Sequence, residues 1–200
     1  MLSNRITRVA LVGGAIAMAA CAKEKTTTTD SAAGAMTPTD SSAMAPAAPA
    51  MTDANIVAYL DAANAGDSAG GKVASTKGTN NDVQMFGKMM MGEHHALRVA
   101  GLDFAKKANI TPAAAANDTT KAQLEHALAT LNSTPKGAAW DKAYIDGEVA
   151  VHQSVLDNAT AAHNATQNAD LKALLEKASP VIQKHLDRAK EIQKKLTPAT

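Results

Sequence analysis

The sequence has few aromatic residues, a single cysteine and almost no net charge. Aromatic side chains make up 2% of the 200 residues, which leaves little material for surfaces that stack on bases or sugars. The 20 Lys and Arg side chains are balanced by 19 acidic ones, and no basic stripe suited to nucleic acid is evident. Nucleophile-elbow and glycine-rich phosphate-loop motifs are also missing. The composition therefore argues against nucleic-acid binding, and the sequence offers no constellation that would predict an enzyme.

The first 20 residues have the pattern of an export signal. Arg5 and Arg8 form a short basic region, and residues 9–20 are an apolar run shorter than the roughly 20 residues that span a membrane. The sequence M-A-A-C at residues 18–21 resembles the bacterial lipobox, although leucine is usual at its first position. Lipidation of Cys21 would explain a lone cysteine in an exported chain. The alternative is an ordinary signal peptide with a leftover thiol.

The residue that follows the cysteine also predicts where in the cell envelope the protein is located. Because Ala22 rather than Asp follows Cys21, the resemblance implies sorting to the periplasmic face of a Gram-negative outer membrane, reached through the lipid anchor. Cleavage before Cys21 would remove two arginines and no acid, so 20 basic and 19 acidic side chains become 18 and 19, a formal charge of −1. Residues 21–51 are rich in Thr, Ala and Pro, which predicts a disordered linker.

Beyond the linker, the apolar pattern predicts a single all-α domain over residues 52–197. Four long segments place apolar residues three and four positions apart, which is the spacing of an amphipathic helix. A shorter helix is predicted over residues 112–132, and no strand pattern is present. These segments are typical of an antiparallel four-helix bundle with one extra short helix.

Capping residues, glycines and prolines give the expected ends and interruptions of the helices. Good capping residues near the start of the second long helix are Asn80-Asn81-Asp82, and Thr134-Pro135 is predicted to open the third. Three glycines within residues 64–71 allow either a break in the first helix or the close approach of a neighbour. Pro180 interrupts the fourth long helix, where a kink is favoured over a new helix because the apolar stripe continues.

Polar side chains interrupt the apolar stripe once on each long helix. Each lies about 14 to 17 residues from the start of its helix, so antiparallel packing would bring all four to one level of the core. Glu148 precedes one of them by a single helical turn and faces a similar direction. The four residues are Asp67, His94, His152 and His185.

Burial of these side chains is costly unless they find partners, and two arrangements would supply them. In the first, imidazole and carboxylate groups bind a transition metal such as Cu, Zn, Fe or Ni. In the second, Asp67 or Glu148 accepts hydrogen bonds from the histidines in a metal-free network, helped by Tyr144. His95 falls off the apolar stripe of its helix, and His126 lies opposite the Leu124/Leu128 face and is predicted to face solvent.

Three short motifs resemble a bacterial exported family called domain of unknown function 4142, often labelled a putative outer-membrane protein. The motifs are M-M-G-E-H at residues 90–94, W-D-K-A-Y at 140–144 with His152 following, and P-V-I-Q-K-H-L at 180–186. The resemblance covers about residues 53–196 and implies a ferritin-like helical bundle, but no established activity. The family's acid and histidine positions correspond here to Asp67, His94, His152 and His185.

One departure counts against di-iron chemistry. Ferritin-like di-iron proteins carry Glu-x-x-His pairs, whereas Glu148 and His152 are one residue too far apart. Histidines that follow methionines at residues 89–95 also resemble a Met/His-rich periplasmic copper-binding family, but its matches on the later helices are lacking. The sequence therefore predicts an envelope lipoprotein with a candidate transition-metal site. The alternative is a structural or partner-binding envelope module with a metal-free buried network.

Overall fold

The computed structural model describes residues 51–197, and all the regular structure in that range is helical. The five helices are α1 (Asp53–Lys77), α2 (Asn81–Lys107), α3 (Thr120–Ser133), α4 (Ala138–Ala165) and α5 (Ala169–Leu196). This confirms the predicted all-α bundle with one short extra helix. None of the helices in the described range is long and apolar enough to cross a membrane. The predicted signal peptide (1–20), Cys21 and linker residues 22–50 lie outside the described residues.

The long helices form two antiparallel hairpins. Residues 78–80 join α1 to α2, and residues 166–168 join α4 to α5. The hairpins meet where α2 packs on α5 and α1 packs on α4, while α3 packs on α1. All four long helices contribute fully buried apolar side chains to the core, among them Ile56, Phe86, Met90, Ile145, Leu171 and Leu186.

Close packing between α1 and α2 accounts for two of the glycines. A Cβ atom on Gly71 would lie 2.6 Å from the carbonyl oxygen of Gly87, and one on Gly87 would lie 2.7 Å from the carbonyl oxygen of Gly71. Cβ atoms do not approach backbone this closely, so the crossing requires glycine on both sides. Helix α1 runs unbroken through residues 64–71, so close packing is confirmed and a break there is wrong.

Helix α3 begins eight residues later than the predicted start at 112, and residues 112–119 are not helical. These residues are exposed, so the alanines among them have no apolar surface to cover, and a short helix depends on such packing. The segment is instead attached to α1 through hydrogen bonds. The Ala113 N–H donates to the Ala54 carbonyl at 3.1 Å, and the Asn55 side-chain amide donates to the Ala113 carbonyl at 2.8 Å.

The predicted opening of α4 at Thr134-Pro135 is wrong. Thr134 follows the last turn of α3, where its hydroxyl donates to the Thr130 carbonyl at 2.8 Å. Helix α4 starts after Gly137, whose φ of 149° favours glycine. Helix α5 is continuous through Pro180, so the alternative of a new helix there is also wrong.

Asp141, in the first turn of α4, holds the turn between α1 and α2. Its buried carboxylate accepts hydrogen bonds from the Thr79 N–H at 2.9 Å, the Thr79 hydroxyl at 2.5 Å and the Asn80 N–H at 2.8 Å. Because these bonds satisfy a buried charge, they fix how the second hairpin docks on the first. The docking in turn sets the height at which side chains of α2 and α4 meet.

Candidate functional site

Three histidines from three helices meet in the middle of the bundle. His94 of α2 is 2% exposed, and His152 of α4 and His185 of α5 are 0% exposed. The Nε2 atom of His94 lies 3.2 Å from His152 Nε2 and 3.1 Å from His185 Nδ1. One ring nitrogen from each histidine belongs to a group whose members all lie within 4.8 Å of one another.

The second ring nitrogen of each histidine faces an oxygen that can only accept a hydrogen bond. His94 Nδ1 lies 2.9 Å from Asn64 Oδ1, and this amide is oriented by its own donation to the Leu60 carbonyl at 2.7 Å. His152 Nδ1 lies 2.9 Å from the backbone carbonyl of Glu148. His185 Nε2 lies 2.8 Å from Glu93 Oε2. These partners fix where each imidazole carries its proton.

The protons on these outer nitrogens leave unprotonated nitrogens facing inward. A neutral imidazole has one N–H and one lone pair, so donation by His94 Nδ1, His152 Nδ1 and His185 Nε2 assigns the lone pairs to the opposite nitrogens. Those are the three nitrogens that converge. With this assignment, three lone pairs face one another and no ring N–H lies between them.

Burial keeps the three histidines neutral. It lowers the pKa of His94 to about 3, with a further contribution from the other two histidines, and lowers that of His152 to about 4. Burial also lowers the pKa of His185, although hydrogen bonding to Glu93 opposes the shift. At neutral pH the cluster therefore consists of neutral imidazoles, which is the form that binds metals.

The two predicted carboxyl groups lie behind the histidines. Asp67 Oδ2 is 3.5 Å from His94 Nδ1, and Glu148 Oε2 is 3.4 Å from His152 Nδ1. Each carboxyl therefore faces the N–H side of a ring, away from its lone pair. Burial raises the pKa of Asp67 to about 7, and burial together with nearby Asp67 raises the pKa of Glu148 well above its usual range.

A second group of potential ligands shares one histidine with the first. Oxygen atoms of Asp67 and Glu148 and a ring nitrogen of His152 lie within 4.8 Å of one another. Binding a cation there through His152 Nδ1 would require removal of the proton that this atom donates to the Glu148 carbonyl. The three histidines form the better-prepared cation site, and the carboxyl groups are placed to orient two of them.

The structure brings together all five predicted site residues, but in two layers. His94, His152 and His185 converge, while Asp67 and Glu148 lie beside their N–H groups. Sequence reasoning missed Asn64 and Glu93, which orient His94 and His185. A signal existed for both: Asn64 lies one turn after Leu60 on the buried face of α1, and Glu93 directly precedes a predicted site histidine. His126 is exposed as predicted, and His95, placed off the apolar stripe, is exposed as well.

The fold and the site define a class: an all-α bundle protein with a buried cluster of histidines and carboxyl groups between its long helices. The family model for DUF4142, a domain of unknown function, matches residues 38–192. The chain therefore belongs to the DUF4142 family, and the resemblance seen in its motifs is confirmed. The match begins inside the predicted linker. Comparisons with curated proteins and with solved structures give no match.

Proposed function

We propose that this protein is an envelope lipoprotein that binds one transition-metal ion through His94, His152 and His185. The observation that carries the proposal is the convergence of three lone pairs whose orientation is fixed from outside the cluster. Three inward lone pairs repel one another unless an electron-pair acceptor lies among them. A metal cation is such an acceptor.

The spacing of the nitrogens supports this assignment. Tetrahedral zinc binds imidazole nitrogens at about 2.0–2.1 Å, which separates two such nitrogens by about 3.3–3.4 Å. The separations from His94 Nε2 to His152 Nε2 and to His185 Nδ1, 3.2 Å and 3.1 Å, are close to that distance. Imidazole ligands also suit Cu, Fe and Ni, so the ligand set defines a group of metals and does not select one. Three protein ligands leave a position for water or another small ligand.

The charged groups around the cluster also support a metal site. Among the described residues, the ion-pair partner of Asp67 is His94 and that of Glu148 is His152, and neither carboxyl group has a Lys or Arg partner. A buried divalent cation held by neutral imidazoles needs negative charge nearby, and two buried carboxylates would provide it. A bound cation would thus favour the ionised forms that burial alone disfavours.

Elemental analysis tests the metal site. Full-length protein purified without a histidine tag is expected to hold about one transition-metal ion per chain, because the ligands are already oriented. His94→Ala and His152→Ala should each lose the ion. His95→Ala and His126→Ala remove exposed histidines and are the matched controls. Wild-type protein that stays metal-free when offered Cu, Zn, Fe and Ni would refute the proposal.

The lipid anchor is supported by the sequence around Cys21 and has its own test. The chain produced in a Gram-negative host should incorporate labelled fatty acid and fractionate with the outer membrane. Cys21→Ser should abolish labelling and release the protein from the membrane fraction, because the thiol is the attachment point. A Cys21→Ser protein that remains membrane-bound would contradict the anchor without touching the metal site.

The alternative function is a structural or partner-binding module with a metal-free network. The contacts of 3.1 Å and 3.2 Å between ring nitrogens are also hydrogen-bond distances, which favours this reading if a proton is shared among the rings. Under it, His94→Ala and His152→Ala would lower stability by about 1–3 kcal/mol equally with and without metal. Stabilisation of the wild type alone by added metal would exclude this alternative.

A further inference from the structure

One side chain that contacts the histidine cluster reaches solvent. The side-chain partners of His94 and His152 described above are all buried. Glu93 differs, because its side chain is 38% exposed while its Oε2 atom lies 2.8 Å from Nε2 of the buried His185. Among the described side chains that contact the three histidines, Glu93 is therefore the one that an ion in solution can reach.

Glu93 lies at the seam between the two hairpins, where α2 faces α5. An open groove of about 490 Å³ lies at this seam, and its α2 wall includes Met89, one helical turn before Glu93. Its α5 wall includes Gln183 and Lys184, which directly precede His185. Lys184 Nζ lies 3.7 Å from Glu93 Oε1. The groove brings water and dissolved ions to the helix surfaces beside the Glu93–His185 contact.

His185 separates this groove from the interior of the cluster. Its Nε2 atom faces Glu93, and its Nδ1 atom lies 3.1 Å from His94 Nε2. Displacement of the His185 ring breaks a hydrogen bond to a partly exposed carboxylate, for which water can substitute. Displacement of His94 or His152 would leave a buried oxygen without its partner, which is more costly. His185 is therefore the ring whose movement opens the cluster at the lowest cost.

We propose that Glu93 receives the metal ion from solution and passes it to the three histidines as His185 moves aside. This route rests on the proposed function and adds where the ion enters and leaves. Carboxylate oxygens are themselves ligands for zinc, and an exposed one at a groove attracts a divalent cation. Because one route serves both directions, loss of the carboxylate slows both uptake and release.

Stopped-flow mixing of the metal-free full-length protein with Co²⁺ tests the route, because Co²⁺ bound by histidines absorbs visible light more strongly than the hydrated ion. His94→Ala should abolish the signal, which assigns it to the cluster. Glu93→Gln keeps an oxygen that can accept from His185 Nε2 but removes the charge. Uptake should slow about tenfold, the lower end of the range for electrostatic focusing at a cleft. Release should slow with it, because the affinity at equilibrium changes much less than the uptake rate.

Asp187→Asn is the matched control for the loss of charge. Asp187 is an exposed acid that lines the same groove and accepts a hydrogen bond from Gln183 at 2.9 Å. Its replacement should change the uptake rate less than about twofold, because it does not touch the cluster. Glu93→Asp keeps the charge and should restore most of the wild-type rate. Lys184→Gln should speed uptake, because it removes a positive charge that competes with the ion for Glu93.

A competing route lies on the other side of the cluster. Asp67 and Glu148 line a groove between α1, α3 and α4, although both residues are buried. Gly70→Ala narrows that groove without a clash, since the added Cβ would lie 3.8 Å from Glu148 Oε1. Slower uptake in Gly70→Ala, with a wild-type rate in Glu93→Gln, would move the entry to that side and overturn the inference.

The remaining outcomes distinguish entry from orientation of His185. Unchanged uptake with faster release in Glu93→Gln would show that Glu93 only orients the ring, and would overturn the inference. Equal slowing in Glu93→Gln and Asp187→Asn would also overturn it, because the effect would then belong to the general field of the groove. Both results leave the metal site intact. Wild-type protein that takes up no ion would overturn the proposed function together with this route.

Discussion

Each histidine in the cluster is oriented by a different kind of acceptor. An amide oxygen serves His94, a main-chain carbonyl serves His152, and a half-exposed carboxylate serves His185. A main-chain carbonyl cannot be removed by substitution, so His152 has the most permanent orientation of the three. The amide that orients His94 depends entirely on the side chain at position 64.

Under the proposed function, replacement of that amide should weaken metal binding without removing a ligand. Asn64→Ala leaves His94 Nδ1 without its 2.9 Å partner, so the ring can carry its proton on either nitrogen. We expect affinity for Zn²⁺ to fall about 10- to 100-fold, as when other residues that orient metal-binding histidines are lost. Competition with a chromogenic chelator measures the change.

The control for this prediction is Asn158→Ala. That residue donates to the Tyr59 hydroxyl at 2.9 Å and is not part of the cluster. Its replacement should leave zinc affinity unchanged. An Asn64→Ala protein that binds zinc as tightly as the wild type would show that Asp67, 3.5 Å away, is sufficient to orient the ring.

At the scale of helices, the glycine crossing controls how closely α1 and α2 approach. Gly87→Ala would place a methyl group 2.7 Å from the Gly71 carbonyl and the Ser75 N–H. Because those atoms are backbone, the helices must move apart, and overpacking of this kind costs about 1–3 kcal/mol. Urea unfolding followed by circular dichroism measures the loss.

Gly101→Ala on the same helix provides the comparison, since its Cβ would meet nothing within 4 Å. That substitution should stabilise the protein by up to about 1 kcal/mol through helix propensity. Opposite signs for the two substitutions are the specific expectation. A stabilising Gly87→Ala would mean that the crossing is looser than the structure shows.

Asp82 connects α2 to α5 through two basic side chains. It pairs with Arg188 at 3.0 Å and Lys195 at 2.8 Å, and these interactions, chiefly the hydrogen bond to Lys195, lower its pKa. A carboxyl group with a lowered folded-state pKa adds stability above its unfolded value of 3.8, and this stability is lost as the pH falls through the folded value.

Asp82→Asn should therefore melt at a slightly lower temperature than the wild type at pH 7, and the difference should shrink in acid. High salt should shrink it as well, because the pair lies at the surface. Melting curves across a pH series measure both effects. A difference that persists unchanged in acid and in salt would assign the effect to helix capping instead.

The apolar stripes of the long helices could be predicted from the sequence, whereas the start of α3 and the start of α4 could not. The four stripes were predictable because long buried faces repeat every three or four residues, and the buried histidines fell on those stripes. The start of α3 was not predictable, because alanine-rich residues 112–119 have helix propensity but nothing to pack against. Thr134-Pro135 has the composition of a helix start, yet the preceding helix uses the threonine at its own end.

The geometry of the histidine cluster was predictable only in part for a related reason. Spacing along a helix fixes the face and height of a residue, so the convergence of His94, His152 and His185 could be anticipated. It does not fix which ring nitrogen points inward. That depends on contacts between helices, such as Asn64 with His94 and Glu93 with His185.

At the scale of the whole molecule, Asp141 couples the two hairpins. Asp141→Ala would leave the Thr79 and Asn80 N–H groups without their buried acceptor. We expect a loss of about 2–4 kcal/mol in the free energy of unfolding, since hydrogen bonds to charged groups contribute about 1.5–3 kcal/mol each and water recovers part of the loss. Chemical denaturation measures it, and Asp157→Ala, an exposed acid on the same helix, should change stability little.

A consequence for dissection of the protein follows from the position of residues 134–137. They join α3 to α4, on the path of the chain between His94 in the first part of the described residues and His152 and His185 in the second. A chain cut there would give two fragments, each with an incomplete set of ligands. Under the proposed function, Zn²⁺ bound by histidines of both fragments would hold them together reversibly. Reassembly of the fragments, followed through an attached split reporter, would then switch on with metal and off with chelator.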